Sequence, residues 1–177
     1  MKKLNTYINE KLVITHYKSY SCAPETEQDL RKIIKERLEK DSNVDMNDID
    51  VSNITDMSQL FNDLDPHNID ISQWDVSKVK DMRNMFDYCE NFNSDLSCWD
   101  VSKVKDMEGM FWHCKKFNSD LSEWNVSNVK NMKYMFYDCE NFNSDLNNWD
   151  VSKCNNIWGV FINCDSMKKL PDWYDEN

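Results

Sequence analysis

Glycine and proline are nearly missing from this chain, with two and three among 177 residues. A phosphate-cradling loop needs several glycines close together, so that class of site is excluded. Turns must find another residue for left-handed backbone, and asparagine, whose short amide bonds locally, is the natural substitute. Histidine is almost as scarce: His16, His67 and His113 are scattered, and none stands with a nucleophile and an orienting carboxylate. There is no Cys-x-x-Cys pair either, so no metal, cofactor or catalytic centre is expected. Positive charge is in deficit, since 21 Lys and Arg against 32 Asp and Glu leave −11. Such a balance disfavours phosphate backbones and anionic membrane surfaces, which argues against nucleic acid as a partner. Apolar runs stop short of the ~20 residues of a membrane span, so no membrane insertion is expected. The opening MKKLNTYINEKLVITHYKSYS carries two lysines, but Asn5, Asn9, Glu10 and Lys11 interrupt any apolar signal core. A soluble, cytoplasmic protein is the expectation.

What the chain has instead is a repeat. Trp74 to Cys98, WDVSKVKDMRNMFDYCENFNSDLSC, is followed at Trp99 by the same pattern, so the period is 25 residues. Aligned without a gap, Trp99 to Glu123 matches it at 18 of 25 positions and Trp124 to Asn148 at 16. A further copy starts at Trp149 and fades after Cys164, and an upstream copy has Ile49 in the tryptophan place; registers are legible at 49, 74, 99, 124 and 149. Identity at this level marks an array in which each unit buries its apolar face against its neighbours. Cys89, Cys114, Cys139 and Cys164 fall at one point of successive repeats, with Leu64 in that place one repeat earlier. A position that accepts leucine reads as a buried free thiol rather than half of a disulfide.

Apolar spacing within the repeat suggests the local structure. Val79, Met82, Met85, Phe86 and Cys89 recur at intervals of three and four, which predicts a helix over 79–89 with Ser77 as N-cap and Asn91 or Asn141 in a left-handed C-terminal turn. Leu96, Trp99 and Val101 predict a short strand around 98–102, and the polar FNSD link joins the two. Residues 1–23 read as an N-terminal tail, in which Leu4, Tyr7, Ile8 and Leu12 fall at helical intervals. Residues 24–48 read as a helical N-terminal cap, with acids in its first turn and bases in its last. Residues 49–164 are the array, and 165–177 a C-terminal cap whose LPDWY resembles a last, degenerate strand.

The succession LxxWxVSxVxxMxxMFxxC resembles a leucine-rich repeat, and is similar above all to the bacterial BspA-like branch, whose units carry FNxDLSxWDVSxVxxMxxMFxxC. The resemblance runs over residues 49–164 and implies an α/β fold: a right-handed solenoid with one short parallel strand per repeat and helices on the other side. It also implies a protein-binding role, since members are often surface proteins or adhesins, including in mycoplasmas. The first dozen residues, MKKLNTYINEKL, resemble leaders of some tailed-phage proteins, which would make a virion location an alternative.

Two surfaces stand out as sites. Asp50, Asp75, Asp100 and Asp150, with Asn125 interrupting, lie between inward residues and should point outward. Stacked ~4.8 Å apart they repel one another. Lys78, Lys103 and Lys153, a basic partner or a cation must offset them, unless each Asp-Val-Ser instead bonds its carboxylate to the backbone of a turn. A second acidic row, Asp70, Asp95, Asp120 and Asp145, carries the same two readings. The other surface is where the copies diverge: positions 84, 87 and 88 face away from the apolar stripe, and their counterparts bring Tyr88, Trp112, Tyr134 and Tyr137 to one side. The tryptophans of the array and Phe92, Phe117 and Phe142 read as core. A regular acidic row gives no carboxylate pair the distinct surroundings that catalysis needs, so no enzyme is expected. The expected function is a monomeric, non-enzymatic protein–protein interaction module; the alternative is a surface adhesin-like module binding host protein or glycan.

Overall fold

The computed structural model describes residues 19–175. The helical spacing of Leu4, Tyr7, Ile8 and Leu12 and the phage-like leader lie outside the described residues. One α-helix is present among those described, α1, Glu27–Leu38. Thr26 caps it by accepting the Asp29 N–H at 3.1 Å, with extended backbone at the cap. Glu27 and Asp29 occupy its first turn, Lys35 and Arg37 its last, matching the helix dipole. Leu30 and Ile34 are buried against the first repeat. The Arg31 guanidinium donates to the carbonyls of Gln59, Leu60 and Asn62, and Arg37 pairs with Asp48 at 2.5 Å.

Downstream of α1 the expected leucine-rich-repeat solenoid, with a strand in each repeat and helices behind, is not what forms. Residues 79–89 contain no helix and 98–102 no strand; the chain is turns, joined between repeats by isolated parallel bridges. Four of those bridges link Asp56, Asp81, Asp106, Asn131 and Asn156, away from the tryptophans; of the other two, one joins Asp45 to Asp70 and one joins Cys22 to Ile49, which holds the tryptophan place of the first register. Backbone hydrogen bonding gives the reason. Along 82–89 the N–H groups alternate: Met85, Asp87 and Cys89 donate to the carbonyls of Met82, Asn84 and Phe86, closing tight turns. Met82, Asn84, Phe86 and Tyr88 donate instead to Asp106, Glu108, Met110 and Trp112 of the next repeat at 2.8–3.0 Å. Every donor a helix would need is therefore used elsewhere. The predicted strand fails likewise. Trp99 donates to Leu96 and Val104 to Val101, so this stretch is two successive turns. LPDWY also turns, with Tyr174 donating to the Pro171 carbonyl.

Side-chain burial follows the 25-residue register closely. Phe61, Phe86, Phe111, Phe136 and Phe161 stack with ring centroids 5.1–5.8 Å apart. Phe92, Phe117 and Phe142 form a parallel file at 5.7 and 5.9 Å. Trp74, Trp99, Trp124 and Trp149 are buried, and each indole N–H donates to a carbonyl 28 residues earlier, at Met46, Ile71, Leu96 and Leu121. Trp173 continues the file, stacked on Trp149 at 6.2 Å and donating to Leu146. The thiols of Cys89, Cys114, Cys139 and Cys164 are free and buried, each 2.9–3.2 Å from the carbonyl of Phe61, Phe86, Phe111 or Phe136. Burial raises all four thiol pKa values, that of Cys164 to about 12. In the FNSD link, Asn118 and Asn143 donate their backbone N–H to the Asn93 and Asn118 side chains, tying one repeat to the next.

Candidate protein-binding face

Turns this tight need left-handed residues, and with two glycines the chain places other residues there. Gln59, Asn84, Gly109, Tyr134 and Gly159 form one left-handed column at 25-residue spacing. Asp63, Tyr88, His113, Asp138 and Asn163 form a second. Asparagine supplies only Asn84 and Asn163; the expected turns at Asn91 and Asn141 are not among the left-handed positions. Tyr88, His113 and Tyr134, at φ of 57–60°, are bulky side chains in a conformation they rarely adopt. All three belong to the same surface cluster. Local strain of this kind concentrates at functional sites.

In that cluster Tyr88, 49% exposed, stacks on the His113 imidazole at 4.1 Å. Trp112 lies parallel to His113 and to Tyr134 at 5.2 Å each, and Tyr137 meets Trp112 edge-on at 5.8 Å. Trp158, 59% exposed, closes on Tyr134 edge-on at 4.9 Å, and the Lys133 ammonium lies 4.8 Å from the Tyr134 ring centre. Carboxylates flank the imidazole: Nδ1 is 3.7 Å from Asp87 and Nε2 is 3.4 Å from Asp138. Burial raises the Asp87 pKa, opposed by the neighbouring His113. Three buried side-chain atoms here, Asp87 Oδ1, Trp112 Nε1 and His113 Nδ1, have no hydrogen-bond partner. Apart from these, only Asn47 among the described residues has such an atom.

The model of one family, described as Mycoplasma protein of unknown function, DUF285, matches residues 28–126 and 97–176. The chain belongs to DUF285. No curated protein and no solved structure matches it.

Within this DUF285 chain the acidic row takes the turn arrangement. Asp50, Asp75, Asp100 and Asp150 each accept the N–H of the serine two residues on, at 3.0–3.1 Å, and Asn125 does the same at 3.2 Å. Hydrogen bonds from Ser77, Ser102 and Ser152, with help from nearby lysines, hold Asp75, Asp100 and Asp150 below the usual carboxylate range. Asp70, Asp95, Asp120 and Asp145 repeat the arrangement onto Ser72, Ser97, Ser122 and Asn147. A third such set, Asp56, Asp81, Asp106 and Asn131, was not anticipated. These side chains substitute for the missing glycines and prolines by closing bends locally.

The predicted aromatics converge: Trp112, Tyr134 and Tyr137 are half-buried against one another, and Tyr88 joins them through His113. Sequence reasoning missed His113, Asp87, Asp138 and Trp158. Their signal was positional, since His113 lies 25 residues after Tyr88 and 25 before Asp138.

Proposed function

We propose that this DUF285 chain is a non-enzymatic protein-interaction module that works through the face built on Tyr88, Trp112, His113, Tyr134, Tyr137 and Trp158. One observation carries the reading: Tyr88 and Trp158 stand exposed on a run of stacked rings beside the carboxylates of Asp87 and Asp138, and the buried Trp112 Nε1 has no hydrogen-bond partner. An exposed aromatic patch of this kind usually has a use, and an unpartnered buried donor is rare in folded proteins. Aromatic faces beside the carboxylates of Asp87 and Asp138 suit a protein segment presenting arginine or lysine with apolar neighbours. The acidic row is left with a turn-closing role.

The motif's resemblance to BspA-like surface proteins supports a second reading, an adhesin-like module whose partner is a host protein or glycan, because stacked rings also suit the apolar face of a sugar. A phage kinship, resting on residues 1–12, would put the partner in the virion or the infected cell.

Pull-down from the native host tests the first reading. Tyr88→Ser with Trp158→Ser should lose the retained protein, whereas Asp75→Asn, Asp100→Asn and Asp150→Asn together should keep it. Retention by the aromatic variant with loss by the acidic one would overturn the assignment. Elution by free monosaccharide would select the adhesin reading.

A further inference from the structure

We propose that the column of Lys78, Lys103 and Lys153, with the one beside it at Lys80, Lys105 and Lys130, binds a linear polysaccharide that carries an anionic group on every ring. Lys-Val-Lys recurs at 78–80 and 103–105, each time with the valine buried and both lysines exposed. Asn-Val-Lys at 128–130 keeps the second lysine, and Lys-Cys-Asn at 153–155 keeps the first. Backbone bonds stack the second column directly: Lys80 donates to Thr55, Lys105 to Lys80, Lys130 to Lys105 and Asn155 to Lys130, at 2.8–3.0 Å. One lysine therefore stands over the next at the spacing of paired strands, about 4.8 Å. In the first column Lys78 and Lys153 reach back one repeat to the amide oxygens of Asn53 and Asn128, at 3.0 and 2.9 Å. Like charges gathered this closely repel, so the strip needs a counter-charge. The first column finds part of it in Asp75, Asp100 and Asp150, whose pKa values the nearby lysines help to lower. The second does not: Lys80, Lys105 and Lys130 enter no ion pair among the described residues. Of the acids next along the chain, Asp81 is taken by Arg83 at 2.7 Å and Asp106 accepts from the Asn131 amide at 3.2 Å.

Width and spacing identify the occupant. The basic strip is two side chains wide and has acids on both sides along the chain, Asp75, Asp100 and Asp150 before it and Asp56, Asp81 and Asp106 after it. A nucleic-acid duplex or an anionic membrane would lie over those acids too, whereas one narrow chain following the strip meets lysines alone. Because salt screens charges beyond about 8 Å at physiological strength, the net negative charge elsewhere on the molecule does little to a chain held against the strip. An extended acidic peptide is narrow enough, but its carboxylates on one face recur at about 6.7 Å, out of step with the lysine rows. A pyranose ring advances its chain by about the thickness of one row, so a polysaccharide with an anion on every ring meets each row in turn. The residue type agrees. Six compact, mobile ammonium groups and no arginine suit anions held at many angles, not the planar fork of a single carboxylate. The strip shares no residue with the aromatic face and binds independently of it.

The probe is a heparin hexasaccharide titrated into the full chain at low salt and followed by calorimetry. It should bind, with an affinity that falls as salt rises, and a neutral oligosaccharide of the same length should not. Lys80→Gln, Lys105→Gln and Lys130→Gln together should weaken binding roughly tenfold or more. Lys32→Gln, Lys35→Gln and Lys40→Gln, which remove the same charge from exposed positions around α1, should leave it nearly unchanged. Asp75→Asn, Asp100→Asn and Asp150→Asn together should tighten it by removing the acids beside the first column. Tyr88→Ser with Trp158→Ser should have no effect, which separates this strip from the aromatic face. The proposal fails if the hexasaccharide does not bind at low salt, or if the α1 variant loses as much as the strip variant. Equal or tighter binding of an oligoglutamate peptide overturns it in favour of an acidic protein segment, and of a single-stranded oligonucleotide in favour of nucleic acid.

Discussion

Trp124 offers the most demanding test of the stacked architecture. Its indole is 4% exposed, lies parallel to Trp149 at 6.5 Å, and donates to the Leu96 carbonyl at 3.0 Å. Truncating a fully buried tryptophan to alanine costs about 3–5 kcal/mol. The Leu96 carbonyl also accepts the Trp99 N–H at 3.1 Å, so it is not orphaned when the indole goes. The hydrogen bond alone is thus worth about 1 kcal/mol, and Trp124→Phe, which keeps most of the ring, should cost about 2 kcal/mol. At about 2–4 °C per kcal/mol for a chain of this size, Trp124→Ala should lower Tm by about 6–20 °C and Trp124→Phe by about 4–8 °C. Trp173→Ala provides the internal comparison. Its ring is only partly buried and stacks on one tryptophan, Trp149, so it should cost clearly less. Thermal unfolding followed by near-ultraviolet circular dichroism reads all three. A Trp124→Ala loss below about 3 °C, or a Trp173→Ala loss as large as that of Trp124→Ala, would refute the shared tryptophan file.

Gly109 shares its column with Gln59, Asn84 and Tyr134, all left-handed, and a Cβ there would meet the Asn84 Oδ1 at 2.2 Å, the end of a movable side chain. Gly109→Asn should therefore cost about 1 kcal/mol and Gly109→Val distinctly more, as read from urea midpoints. Acid should unfold the protein in a defined window. Asp75, Asp100 and Asp150 are depressed by their serine bonds and Asp48, at about 2, by Arg37. Groups with lowered folded pKa stabilise the fold above their unfolded value of ~3.9 and lose that contribution as pH falls through the folded value. Stability should hold from neutrality to about pH 5 and decline from about pH 4 toward 2, with Asp87, raised by burial, offsetting a part. Changing Asp75, Asp100 and Asp150 to Asn should flatten the decline and lower neutral stability by the part the carboxylates contribute, while the turns still close, as Asn125 closes its own with an amide. Among the thiols, exposed Cys98 should react with a thiol reagent in the native protein, and Cys89, Cys114 and Cys139 only on unfolding. Equal reactivity would contradict their burial.

Burial was legible along the chain because it depends on which residues recur, and 25-residue identity exposes that directly. The tryptophan and phenylalanine files and the free cysteines all follow from it, whereas the N-terminal helix was legible from the acids in its first turn and the bases in its last. Backbone conformation was not legible. The spacing of Val79, Met82, Met85, Phe86 and Cys89 fits one face of a helix, but a train of tight turns brings the same side chains inward. Only the destination of each N–H separates the two, and here alternate donors leave for the neighbouring repeat. Asn84 carried a hint of left-handed backbone; Tyr88, His113 and Tyr134 carried none, since propensity argues against tyrosine there. At the candidate face, Trp112, Tyr134 and Tyr137 could be found from their place off the apolar stripe. The imidazole between Asp87 and Asp138 appears only when residues 25 apart are read as a vertical column.

The donor–acceptor pairs joining repeats connect residues 23 to 28 apart, and the same pairs recur at each junction. An interior unit therefore meets identical surfaces above and below, whatever the total number of units. A gene of this kind can gain or lose whole units by unequal recombination, each new junction arriving already matched. A change of one residue must fall where the files tolerate it, as between Cys164 and Trp173, where the step from Trp149 is 24 residues and the ring still stacks at 6.2 Å.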